Sequence, residues 1–144
     1  MLLGKGAMGK INWARVAPCG ILAGLVWIVL SSITTAFVAS DFVAAVSGGR
    51  LSAPTDDSIA FLFIVNLVMG IWAMWLYAAI RPRYGPGPKT AVVTGLSWWV
   101  IGSLIDATWA FFGFVVPRAV LASMAGSLPA IIIAAVVGAR LYRE

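Results

Sequence analysis

The stretch VAPCGILAGLVWIVLSSITTAFV, residues 16–38, runs for 23 residues without a charged side chain. About 20 apolar residues, at 1.5 Å of rise each, are what an α-helix needs to cross a bilayer core of roughly 30 Å. Three further stretches of the same kind are read at about 59–80, 91–112 and 120–141. Together the four occupy most of a 144-residue chain that is 62 % hydrophobic and only 10 % charged. Soluble proteins carry about 25 % charge, so this chain has too little to cover a water-facing surface. The composition excludes a soluble enzyme, a Rossmann or barrel domain, and a disordered chain. The expected fold is all-α: an integral membrane four-helix bundle forming a single domain over 1–144.

Net charge is +5, and its placement argues for orientation rather than nucleic-acid binding. Lys5, Lys10 and Arg15 precede the first span, Arg81, Arg83 and Lys89 lie between the second and third, and Arg140 and Arg143 close the fourth. The other side holds two basic residues, Arg50 and Arg118, with Asp41, Asp56 and Asp57. By the positive-inside rule both termini are cytoplasmic, and the basic side is attracted to anionic lipid. Cys19 is the only cysteine, so no internal disulfide forms, and it reads as a small packing residue. The apolar run follows this cysteine, which is the wrong order for a lipobox. Without a convincing cleavage site, the first apolar segment reads as a retained helix rather than a signal peptide.

The connections are punctuated clearly. Residues 39–58 form the expected outer loop, with a short extra turn over 41–46, and Asp56, Asp57 and Ser58 are suited to cap the second span. Residues 81–89, RPRYGPGPK, hold three prolines and two glycines, so the 81–90 segment reads as a stiff cytoplasmic connection that ends the helix. Trp13, Trp72, Trp75 and Tyr77 suit an interfacial aromatic belt. Pro18 fits the opening turn of the first span, and Pro129 is expected to bend the fourth or free a carbonyl there. Residues 21–32, ILAGLVWIVLSS, align with 92–103, VVTGLSWWVIGS, matching Gly24 to Gly95, Trp27 to Trp98 and Ser32 to Ser103. This suggests a parallel repeat of two-helix units, although apolar helices resemble one another easily. Gly20 with Gly24 and Ala134 with Gly138 form small-xxx-small ridges for close packing within the bundle or between protomers.

Asp106 is the most informative residue. A carboxylate inside a span costs at least about 2.5–3.5 kcal/mol on insertion scales, so it should face the bundle interior or water. At 1.5 Å per residue it lies about 9 Å inside the outer end of its span, and Asn66 about 10 Å inside its own. Ser31, Ser32, Thr34 and Thr35 reach a similar level from the first span, and Ser123 and Ser127 from the fourth. Arg118, at the outer mouth, is long enough to snorkel inward. A contact from Asp106 to Arg118 or to Asn66 is therefore expected. Two readings compete for this layer: polar glue between helices, or a ligand pocket or ion-coupled path centred on Asp106.

Catalysis finds little to work with. There is no histidine, so a Ser-His triad and a His-based zinc motif are both unavailable. Asp56 and Asp57 are sequence neighbours rather than a facing pair. GKGAMGK at 4–10 lacks the preceding strand and the terminal Lys-Ser/Thr of a phosphate loop. No cofactor or metal site is expected. The motif WLYAAIRPRYGPGPKTAV at 75–92, with NWARV at 12–16 and GARLYRE at 138–144, resembles a family of small uncharacterised bacterial membrane proteins with four spans. The resemblance implies a multi-pass location in the bacterial inner membrane and attaches no activity. The leading expectation is a non-enzymatic membrane protein acting through helix packing, as a homodimer or beside a larger membrane partner, with lipid around it and no nucleic acid. The alternative is a small-solute or ion/proton-coupled binder or transporter centred on Asp106.

Overall fold

The computed structural model of the protein describes residues 11–142. Lys5, Lys10, Arg143 and the GKGAMGK segment lie outside the described residues. Four helices follow one another: α1 Trp13–Ser47, α2 Asp56–Tyr84, α3 Pro88–Phe111 and α4 Pro117–Leu141. All four are long and apolar enough to cross a membrane. They form an all-α bundle in which α1 packs against α2 and α4, α3 packs against α4, and the α2–α3 seam is the loosest side of the ring.

The helices overrun the expected spans for local reasons. α1 continues through the residues assigned to the outer loop as far as Ser47, because nothing between Val38 and Gly48 breaks a helix. Gly48 and Gly49 then end it, Gly49 with φ at +70°, a conformation glycine adopts without a Cβ penalty. Its 35 residues extend roughly 52 Å, so α1 outreaches the bilayer core. The overhang is tied down where Val38 is buried with Val115, Ala119 and Val120. The cap of α2 is Thr55 rather than the three residues after it. Its side chain accepts from the Ser58 amide and the Ser58 hydroxyl accepts from the Thr55 amide, a capping box with Asp56 and Asp57 in the favourable first turn.

Between α2 and α3 only residues 85–87 leave the helical state. Pro82 is accommodated inside α2, and the break waits for Gly85 and Gly87, whose φ angles are +83° and +126°. The turn is fastened by the Thr90 hydroxyl donating to the Gly85 carbonyl at 2.6 Å and the Gly87 amide donating to Tyr77 Oη at 3.2 Å. Tyr77 is therefore buried, not interfacial, and meets Tyr142 edge-on at 5.9 Å, with the Arg81 guanidinium over the Tyr142 ring. Trp13 and Trp72 are exposed, as residues at a lipid boundary would be. Pro18 sits in the second turn of α1, not the first, and α4 runs unbroken through Pro129.

The core is built from small residues. Phe37 and Phe111 are more than 80 % exposed, whereas Ala23, Ala91, Ala134 and Ala135 are fully enclosed. This suits a bundle in lipid, where large apolar side chains gain nothing by turning inward and close backbone approach supplies the packing. Gly20 and Gly24 lie directly on the backbone of α2 at Gly70 and Ile71 and at Asn66 and Leu67, and Gly138 lies on Met74, Ala23 and the Cys19 carbonyl. Both small-residue ridges thus serve contacts within the bundle. In the aligned segments, Gly24 seats α1 on α2 as Gly95 seats α3 on α4, and Trp27 meets Trp98 at 5.6 Å.

Gly70→Ala should destabilise the protein by about 1–3 kcal/mol, the usual cost of overpacking, because its new Cβ would strike Gly20 and Gly24 backbone atoms. Gly102→Ala should leave stability unchanged or slightly raised, since a Cβ there meets nothing within 4 Å and alanine favours helix. Thermal unfolding of both variants in one detergent checks the contrast.

Candidate functional site

Trp99, Ser103 and Asp106 fall at i, i+4 and i+7 along α3, so they share one helical face. That face borders a cleft of about 360 Å³ at the loose α2–α3 seam. Asn66 and Met69 contribute from α2, Trp27 from α1, and Ser127 and Ile131 from α4. Asp106 also lines a second cavity of about 260 Å³ with Phe42, Trp109, Val120 and Ser123. One carboxylate is therefore shared by an interhelical cleft and a cavity nearer the end of α1.

Most polar groups in the cleft are already occupied. Trp27 Nε1 donates to Asn66 Oδ1 at 2.6 Å, and Asn66 Nδ2 donates to the Leu62 carbonyl at 2.7 Å. Trp99 Nε1 donates to the Met124 carbonyl at 2.9 Å, which also receives the Ser127 hydroxyl at 3.0 Å. Two groups differ. Ser103 Oγ is buried without a hydrogen-bond partner, and Asp106 makes no hydrogen bond or ion pair, in each case among the described residues. Buried polar groups are nearly always paired, so an orphan hydroxyl one turn from an unpaired carboxylate sets this face of α3 apart from the other polar groups of the cleft.

The expected polar layer is thus only partly assembled. Asn66, Asp106 and Ser127 share the cleft, and Ser123 joins Asp106 in the second cavity. The expected contacts from Asp106 to Arg118 and to Asn66 are not made. Arg118 is held by Asp41 on the overhang of α1, with its Nη2 donating to Asp41 Oδ1 at 2.6 Å, because the helical continuation of α1 brings that carboxylate to the start of α4. Asn66 is engaged by Trp27 instead. Ser31 and Ser32 donate to the Ile28 carbonyl and Thr34 to that of Leu30, within their own helix, and Thr35 is exposed. Helical hydroxyls commonly take the carbonyl a turn back, so these residues do not bridge helices. Ser103 and the indoles of Trp27, Trp98 and Trp99 are cleft residues that sequence reasoning did not select. The i, i+4, i+7 spacing from Trp99 to Asp106 is the signal that points to Trp99 and Ser103.

Among the described residues no group of three or more His, Cys, Asp or Glu side chains is placed to hold a metal ion. Compared with known protein families, curated proteins and solved structures, the chain matches none. What the fold shows is a multi-pass protein of four apolar, membrane-length helices.

A double-mutant cycle on Trp27→Phe and Asn66→Leu should return a coupling of about 0.6–1.7 kcal/mol, the range of interhelical hydrogen bonds in membranes. The matching cycle on Asp106→Asn and Arg118→Gln should be additive, since the two side chains do not meet. Unfolding in mixed micelles reads both cycles.

Proposed function

We propose that this is a small non-enzymatic protein of the bacterial inner membrane, with both termini cytoplasmic, that binds a small solute at Asp106. The supporting observation is the unpartnered Asp106 carboxylate at the junction of two cavities. Had Asp106 served as glue between helices, a neighbouring donor would hold it. The cross-helix side-chain bonds near its depth instead run from Trp27 to Asn66 and from Trp99 to the Met124 carbonyl. An ionisable residue inside a membrane span is by default a candidate functional site. The ridges that would have favoured a homodimer are used inside the bundle, which supports lipid as the partner of the outer surface. The basic residues at 15, 81, 83, 89 and 140 support cytoplasmic ends by the positive-inside rule. The resemblance of the 75–92 motif to small bacterial four-span proteins supports the same membrane.

An apolar carbodiimide, which reaches carboxyl groups within membranes, should modify Asp106 in the intact protein, and Asp106→Asn should remove that adduct in peptide mass spectra. A protein that is folded yet unmodified at Asp106 would overturn the site. Orientation has its own test. In a Cys19→Ser background, a cysteine at Ser52 should react with an impermeant maleimide in intact cells, and one at Pro86 only after permeabilisation. The reverse pattern would invert the topology.

A further inference from the structure

The walls of the α2–α3 cleft specify the charge and character of what it can hold. Trp27 and Trp99 have committed their indole N–H groups to Asn66 Oδ1 and the Met124 carbonyl, which leaves π surface as what these rings offer an occupant. Asn66 and Ser127 are likewise engaged. The groups left over are the Asp106 carboxylate, which only accepts, and the Ser103 hydroxyl, 93 % enclosed and without a partner among the described residues. Among the described residues no basic side chain lines the cleft, and Arg118 is held by Asp41. The unmet demand is therefore for positive charge. A bare metal ion needs a shell of several oxygens, more than one carboxylate and one hydroxyl supply. An organic cation carries its own apolar covering, and indole faces attract it through the ring quadrupole.

The rim of the cleft indicates the route of entry. Leu62 and Ile105, on the two sides of the seam, are more than half exposed on helices of membrane-spanning character, so this rim opens onto hydrocarbon. Opposite Trp98 the seam continues as a second apolar hollow between Met69, Trp72 and Ile101. Gly102 lies on the wall with nothing within 4 Å of where its Cβ would stand. An occupant with apolar arms fits such a wall, whereas a hydrated ion does not.

We propose that the α2–α3 cleft binds a lipophilic organic cation, its charge against Asp106 and Ser103, its apolar arms against Trp27, Trp98 and Trp99, entering sideways from the bilayer. This rests on the reading of Asp106 as a binding centre and names the ligand class. The test uses radiolabelled tetraphenylphosphonium with the whole protein in phosphatidylcholine nanodiscs, subtracting protein-free discs. Saturable binding is expected, and tetraphenylborate, of the same shape and opposite charge, should not compete. Asp106→Asn should weaken binding about tenfold or more, as loss of a charge-assisted contact does, and Asp106→Glu should retain it. Gly102→Leu should weaken it similarly by filling the wall while the carboxylate stays. Tetraphenylphosphonium should also slow carbodiimide modification of Asp106. Equal binding by wild type and Asp106→Asn, or competition by tetraphenylborate, overturns the proposal. If nothing binds while Asp106 still reacts with carbodiimide, the cation is wrong and the site stands. If nothing binds and Asp106 is inert in the folded protein, both fail.

Discussion

Close backbone contact between α1 and α2, at Gly20 and Gly24 against Gly70, is the constraint from which the rest of the bundle follows. Lipid provides no hydrophobic drive for helices to associate, so packing has to come from surfaces that approach to backbone distance. Glycine at these three positions allows it, and a Cβ at any of them would meet facing main-chain atoms. With α1 seated on α2 and, through Ala23 and Gly138, on α4, the fourth side of the ring is left to bulkier residues. Met69, Trp72, Trp98 and Ile101 line a hollow between α2 and α3, although the two helices are joined by only three residues. The cleft is thus a consequence of where the small residues are.

The same packing sorts the polar side chains into those that are satisfied and those that are not. Hydroxyls on α1 return to their own helix, and Asn66 and the indoles of Trp27 and Trp99 close bonds between neighbours. Each satisfied group costs the membrane little. Asp106 and Ser103, which have no partner among the described residues, lie on the α3 face that borders the loose seam, where Asn66 of the opposing helix is already bonded to Trp27 and to the Leu62 carbonyl. In a low-dielectric setting an unmet carboxylate is costly, and that cost is the physical ground for assigning it a ligand.

Aromatic residues divide along similar lines. Trp13 and Trp72 stand exposed, but Tyr77, equally amphipathic in composition, is enclosed with Tyr142 and receives the Gly87 amide. Hydropathy cannot separate these cases, since the residue types are alike and only the neighbours differ. Thr55 shows the converse. Its capping box with Ser58 is local, so the signal is present in the sequence, three residues apart, beside the more conspicuous acidic pair.

Four membrane-length helices, their order, a Gly- and Pro-rich connection within 81–90 and the singularity of Asp106 were legible in the sequence alone, because each depends on local chemistry: apolar length, glycine and proline, and the cost of a charge in lipid; that only 85–87 leave the helical state was not. The continuation of α1 past Val38 was nearly legible, since no breaker lies between Val38 and Gly48. Tertiary structure alone decided the partners. Asp41 meets Arg118 across 77 positions, Asn66 meets Trp27, and Asp106 meets no partner among the described residues. Hydropathy places a residue at a depth, but only packing sets which helix faces it there. That rotation is governed by the small residues of the core, and it divided the expected polar layer between side chains that bond to one another and a cleft where Asp106 has no partner among the described residues.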